Sequence, residues 1–183
     1  MSDIPYKQLF ILVEGGDDVR FFGAVVKPLF EKYYDEVRIL AISNWSHEEV
    51  RRLLFSISAM KSDYLIVRDI DTHPCVTAAR DALRKPYSRL DPERIQIVRA
   101  EIESWYCAGI SPQDAELGAL KVVTCNDTGE VTKESFDAAL FERRLRRAPA
   151  MIAMLERFDL ATAARRNASF RYFLRKHLDL DPS

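Results

Sequence analysis

The stretch "LFILVEGGDDVRFF", residues 9–22, runs from unbroken apolar residues to an acid, two glycines and two further acids, then returns to apolar residues. Its first part has the character of a buried strand: Gln8 to Val13 is short and rich in Ile, Leu, Val and Phe. The glycines mark a turn. Asp17 or Asp18 can then cap a helix in which Val19, Phe22, Val26 and Leu29 recur at helical spacing. Pro28 is expected to kink or end that helix, with "LFEKYY" continuing past the break. A turn needs small or polar residues, but not a carboxylate at its first position, so Glu14 is left to be explained.

Working outward, the same alternation repeats. Val37 to Ile42 reads as a second strand, and Ser46 with Glu49 has capping-box spacing, opening a helix from His47 to about Met60. Tyr64 to Val67 is a third strand that runs into Arg68-Asp69-Ile70-Asp71, followed by a helix from about Thr77 to Leu83 and a loop with two prolines, "RKPYSRLDPER". Ile95 to Val98 is a fourth strand and Ile102 to Ala108 a helix. The connections are too long for hairpins, which predicts a mostly parallel sheet of four to five strands with helices on both faces, a three-layer α/β fold of Rossmann-like character. Beyond Gly109, "KVVTC" is expected to form a last strand, and Lys133 to Arg147, Pro149 to Phe158 and Ser169 to Leu178 to form helices. The division expected is an α/β core over residues 1–110 and a mainly helical extension over residues 111–183, packed on the same domain.

A chain of 183 residues is long enough for a core without staples. Its three cysteines are odd in number and widely spaced, which argues against a disulfide framework or a structural zinc site and suits a reducing cytoplasm. The polar start predicts no leader, and no apolar run reaches the roughly 20 residues a membrane span needs. Net charge is −1, so no global electrostatic pull on nucleic acid exists, but from Arg143 to His177 ten Arg or Lys face only Glu156 and Asp159. That distribution suits either a basic flank beside an acidic centre or a solvated helical surface.

In an open parallel sheet, ligands bind beyond the carboxyl ends of the strands. Glu14 follows the first strand, Asp69 and Asp71 the third, and Glu101 and Glu103 the fourth, while Asp18 lies about one helical turn after Glu14. Carboxylates gathered in one place repel one another, and the common compensation is a divalent cation; an all-oxygen site selects Mg²⁺, Mn²⁺ or Ca²⁺ over zinc. The i, i+2 spacing of Asp69 with Asp71, and of Glu101 with Glu103, points both members of each pair to one side in extended backbone.

These residues resemble a known family. "LFILVEGGDDVRFF" followed by "YLIVRDIDTH" is similar to the Toprim domain of topoisomerases, bacterial primases and several nucleases. "AEIESWYCAG" at 100–109 and the ending "NASFRYFLRKHL" look most like small stand-alone Toprim proteins related to the OLD-type nucleases. The likeness covers roughly residues 7–110 and extends more weakly to the end. It implies a Mg²⁺- or Mn²⁺-dependent phosphodiester site with one or two ions. In that site Glu14 would be acid/base or metal ligand and Asp69 and Asp71 catalytic metal ligands, with Asp18 and Glu103 completing a second metal site. It further implies nucleic acid as substrate and a role in defence or repair beside a separately encoded ATPase, since the chain has no G-x-x-x-x-G-K-[ST]. Thr72-His73-Pro74 stands where many Toprim domains carry a glycine after the D-x-D. For the basic residue near the phosphate, Lys133 is one assignment and the arginines of "FERRLRR", Arg143 and Arg144 among them, are another.

The alternative to a nuclease is a non-catalytic Toprim-like subunit that binds nucleic acid or a partner. "VRDIDTH" also approaches the phosphatase pattern D-x-D-x-T, but His73 occupies a position where Thr or Val is expected and Glu14 would have no role. Trp45, after the second strand, either stacks a base or covers the sheet. Trp105 and Tyr106 are expected to pack their helix against the sheet.

Overall fold

The computed structural model describes residues 6–87 and 90–182; Ser88 and Arg89 of the two-proline loop, together with the polar N-terminal residues 1–5, lie outside the described residues. Four strands form one parallel sheet in the order β2-β1-β3-β4: β1 (Gln8–Val13), β2 (Glu36–Ala41), β3 (Asp63–Asp69) and β4 (Ile95–Val98). β1 is paired on both sides, Ile11 with Ile39 of β2 and Leu65 of β3, and Ile11, Leu12 and Val13 are fully enclosed. A strand covered on both faces needs a continuous apolar run, which is what "LFILV" supplies. β2, at one edge, keeps only Val37 fully inside. The fold is α/β, with a helical C-terminal portion.

The chain divides into two compact units, Met1–Arg68 with Thr72–Ile97, and Asp69–Asp71 with Val98–Ser183. In the first, β1 leads into α1 (Gly16–Phe21), a π turn (Phe22–Val26) and α2 (Lys27–Phe30). The π turn has a cause in the sequence. Pro28 has no N–H and its ring would crowd the carbonyl four residues back, and the turn widens just before it, with Lys27 N–H bonded five residues back to Phe22. The buried face is therefore Phe21, Phe22, Val26 and Phe30, whereas Val19 and Leu29, expected inside, are only half-buried. The cap is Gly15 rather than Asp17 or Asp18; Asp18 is the residue whose carboxylate accepts from the Gly15 N–H at 2.9 Å. α3 (His47–Ala59) opens on the expected Ser46–Glu49 capping box and buries Val50 and Ile57. α4 (Val76–Arg84) and a 3₁₀ turn (Pro92–Arg94) lead to β4.

The second unit contains α5 (Ile102–Ala108), α6 (Lys121–Thr124), α7 (Lys133–Glu142), α8 (Arg147–Glu156), α9 (Leu160–Arg166) and α10 (Ala168–Leu178). Its core is aromatic: Trp105 meets Phe170 edge-on at 5.0 Å and Phe173 at 5.3 Å, so Trp105 is enclosed among helices of its own unit. Asn167, fully buried, caps α10 by accepting from Phe170 N–H and donates to the Thr128 hydroxyl at 3.1 Å. Arg166 donates to the carbonyls of Cys107 and Ala108 at the end of α5 and of Val123 and Cys125 around the end of α6, helping to satisfy the carbonyls that helix ends leave open.

Two expectations fail here. "KVVTC" is a helical turn rather than a strand: Val122 and Val123 are consecutive and both buried, a pattern incompatible with the alternation of a half-buried strand. Lys133 to Arg147 is not one helix. α7 stops in a Schellman motif, with Leu145 N–H on the Leu140 carbonyl, Arg144 N–H on the Phe141 carbonyl and Arg144 at φ 55°. An arginine, rather than a glycine, holds the left-handed position, so the stop carries no composition signal.

Candidate functional site

The strand order places a topological switch point between β1 and β3: from β1 the chain crosses to β2 on one side, and from β3 to β4 on the other. At such a point the carboxyl edge of a parallel sheet opens into the crevice where ligands bind. Glu14 directly follows β1 and Asp69 is the last residue of β3. These two adjacent strands therefore both end in a carboxylate at the switch point.

In the first unit, Glu14 is half-buried and held from both flanks. Its carbonyl accepts the Ser43 N–H at 3.1 Å, tying it to the chain leaving β2, and its carboxylate pairs with Arg68 of β3 at 3.6 Å. That ion pair is longer than a charge-assisted hydrogen bond of about 2.7–2.9 Å. Asp18 is buried and serves the first turn of α1. Neither Gly15 nor Gly16 adopts a positive φ, so backbone geometry does not demand the glycine pair; a Cβ on Gly16 would meet no atom within 4 Å, which leaves the space in front of α1 open. Beside these, His47 Nδ1 and the Tyr87 hydroxyl are 2.9 Å apart. Burial pushes the Tyr87 hydroxyl up from its ordinary value, while the positive charges of Arg68 and Arg51 draw it down.

Asp69, Asp71, Glu101 and Glu103 fall in the second unit. Asp71 is exposed and sits at φ 48°, in the left-handed region, so it does not share a face with Asp69 as an extended i, i+2 pair would. The sheet pairing continues to Ile70, whose N–H reaches the Val98 carbonyl at 3.0 Å, and the chain turns immediately afterwards. Glu101 and Glu103 take different partners. Glu101 is the N-cap of α5 and its carboxylate accepts the backbone N–H of Lys133 at the start of α7. Glu103, only 3% exposed, pairs with Arg147, which also pairs with Asp137 and lies over the Phe136 ring. Burial holds the Glu103 carboxyl above the usual carboxylate range, with Arg147 working in the opposite direction.

Lys133 is exposed, its backbone joined to Glu101. Arg143 and Arg144 are both exposed; Arg143 donates to the Ala119 carbonyl at 3.0 Å, and Arg144 occupies the left-handed position that ends α7. Arg68 is the residue that reading the sequence missed, while Arg147, expected as one of the "FERRLRR" arginines to lie near a phosphate, pairs with Glu103. Each touches one of the expected acids, but through contacts that link distant parts of the chain. The only prior hint for Arg68 was its place inside the "VRDID" segment.

The donor chemistry of Glu14, Asp18, Asp69, Asp71 and Glu103 suits a hard cation such as Mg²⁺ or Mn²⁺. The grouping is another matter: among the described residues, no three His, Cys, Asp or Glu side chains come together in a way that would hold a metal ion. Glu14 pairs with Arg68, Asp18 with the Gly15 N–H and Glu103 with Arg147. No helix among the described residues is long and apolar enough to cross a membrane. Comparison with protein-family models, with curated proteins and with solved structures returned no match.

Proposed function

We propose that the chain is a divalent-metal-dependent nuclease of the Toprim type, cleaving phosphodiester bonds in nucleic acid in the cytoplasm, in defence or repair and in company with a separate ATPase. One observation carries the reading: β1 and β3, adjacent parallel strands flanking the switch point, both end in a carboxylate, Glu14 and Asp69. Gly16, not required by a positive φ and with no atom within 4 Å of where a Cβ would lie, supports it by leaving room for a substrate.

In this reading Glu14 is the acid/base residue, or a ligand, and Asp69 and Asp71 are catalytic ligands. The Toprim resemblance assigns Glu14, Asp18, Asp69, Asp71 and Glu103 to one or two Mg²⁺ or Mn²⁺ ions. An ion held by these residues would supply an activated water and neutralise charge on the phosphodiester. The chain's own contribution is to hold the Glu14 carboxylate at the strand end between Ser43 and Arg68, where it can take a proton from an attacking water. Lys133, Arg143 and Arg144 would meet the backbone phosphates.

A second reading, a non-catalytic subunit that binds nucleic acid or a partner, is favoured by one specific feature: Glu103 and Glu14 already have arginine partners. The two are separated by incubating DNA and RNA with Mg²⁺ or Mn²⁺. Multiple-turnover cleavage that disappears in Asp69→Ala/Asp71→Ala supports the nuclease; the absence of cleavage with and without the ATPase supports the binding subunit.

A further inference from the structure

We infer that Trp45 and Arg68, on either side of Glu14, form a nucleotide subsite that takes single-stranded nucleic acid, Trp45 stacking on an unpaired base and Arg68 meeting a phosphate. The inference rests on the reading of the sheet's carboxyl edge as a nucleic-acid site, and goes beyond it in naming the substrate's strandedness and the residues that select it. The placement follows from the sheet. Ile42 N–H bonds the Val13 carbonyl and Ser43 N–H bonds the Glu14 carbonyl, so the chain leaving β2 stays beside the end of β1. Trp45 comes two residues later, its N–H closing a turn on the Ile42 carbonyl at 3.1 Å. Arg68 stands on the other side of Glu14, in β3. Two strand spacings, about 10 Å, separate the backbones of Ser43 and Arg68, and Trp45 follows Ser43 by two residues.

The chemistry fits that placement. Trp45 is 39% exposed, whereas the other tryptophan, Trp105, is fully enclosed. An indole left partly in water at a ligand-binding edge offers a face that stacks on any base, an interaction of about 1–3 kcal/mol per base. A base inside a duplex is already stacked, and extracting it costs a few kcal/mol, so Trp45 favours single strands. Arg68 offers a guanidinium, which matches phosphate geometry, and its 3.6 Å pairing with Glu14 is loose enough to share.

The test uses the protein's own fluorescence, because Trp105 is shielded and Trp45 is not. The full-length protein in EDTA, where no metal-dependent cleavage occurs, is titrated with an oligothymidylate of about 12 nucleotides and separately with a duplex. Quenching by the single strand is expected. Trp45→Leu should abolish it and weaken binding, measured by anisotropy of a labelled strand, about ten- to a hundredfold. Trp45→Phe should retain most of the affinity, and Arg68→Gln should weaken binding and lower the salt slope by about one. Equal binding by Trp45→Leu and wild type, or quenching by duplex as strong as by single strand, overturns the subsite. The nuclease reading fails separately: Trp45 quenching without any metal-dependent cleavage keeps the subsite and removes the nuclease. Cleavage with Trp45→Leu unchanged does the reverse.

Discussion

Replacing Arg147 with methionine keeps much of the side-chain volume and removes the charge that faces Glu103. The carboxylate is 5% exposed, so it cannot recover its hydration by turning outward. Breaking a buried pair from one side costs about 3–5 kcal/mol. The lower end applies here, for two reasons. Arg147 is itself 26% exposed and its second partner, Asp137, is 45% exposed, so Asp137 loses little. Glu103 also has an escape: taking a proton at pH 7 from an ordinary value of 4.5 costs about 3.4 kcal/mol, and the penalty for the stranded charge cannot exceed that by much. The expected destabilisation is thus about 3 kcal/mol at pH 7. Its pH dependence has a definite sign. In Arg147→Met the folded-state pKa of Glu103 rises further above its unfolded value. The penalty is therefore greatest at neutral pH and shrinks by up to about 1.4 kcal/mol per unit as pH falls towards 5. Urea unfolding of wild type, Arg147→Met and Glu103→Gln/Arg147→Met at pH 7 and pH 5.5 reads this directly, provided the slopes agree. The double variant should recover most of the loss. A cost below about 1 kcal/mol with no pH dependence, or a double variant no better than the single, would refute the reasoning.

His177 gives a second pH effect of its own sign. Burial against Phe173, with Lys176 adding to it, lowers its pKa from 6.5 to about 4. The unfolded chain takes up the proton first, so stability falls as pH drops from about 6.5 to about 4, by up to roughly 3 kcal/mol; His177→Leu should flatten the stability curve in that window and leave it unchanged above pH 7.5. Lys61 and Arg144 occupy the left-handed positions that end α3 and α7. Lys61→Gly and Arg144→Gly should each raise stability by about 1 kcal/mol, read as a higher midpoint in urea; a loss at either would contradict the Schellman assignment.

Where a signal was local, the sequence was readable. The apolar run of β1, the Ser46–Glu49 box and the limits of β4 and α5 all follow from neighbours within a few residues. The end of α3 was read correctly, at about Met60, but the helix break at Arg144 was hidden because a long cation stands where glycine is usual. α9 went unread because "LATAARR" is short and small-residue-rich; its role depends on Arg166 reaching carbonyls in α5 and near α6. The same distinction runs through the candidate site. Acids at strand ends are visible as spacing. Their present partners are not: Arg147 lies 44 residues from Glu103, and Arg68 meets Glu14 only because β1 and β3 are neighbours. The i, i+2 argument failed at Asp69 and Asp71 because the pair straddles the end of β3, where strand alternation no longer applies and Asp71 lies in a left-handed turn.

The most direct test of the nuclease assignment is the rate at which an end-labelled single-stranded oligonucleotide is cut in the presence of Mn²⁺ by wild type, Glu14→Gln and Asp69→Asn, with folding of each variant verified by circular dichroism. The assignment predicts metal-dependent turnover by wild type and a fall of at least about a hundredfold in both variants, as expected for loss of a group acting on the reacting atoms. Turnover that persists undiminished in Glu14→Gln and Asp69→Asn would contradict it.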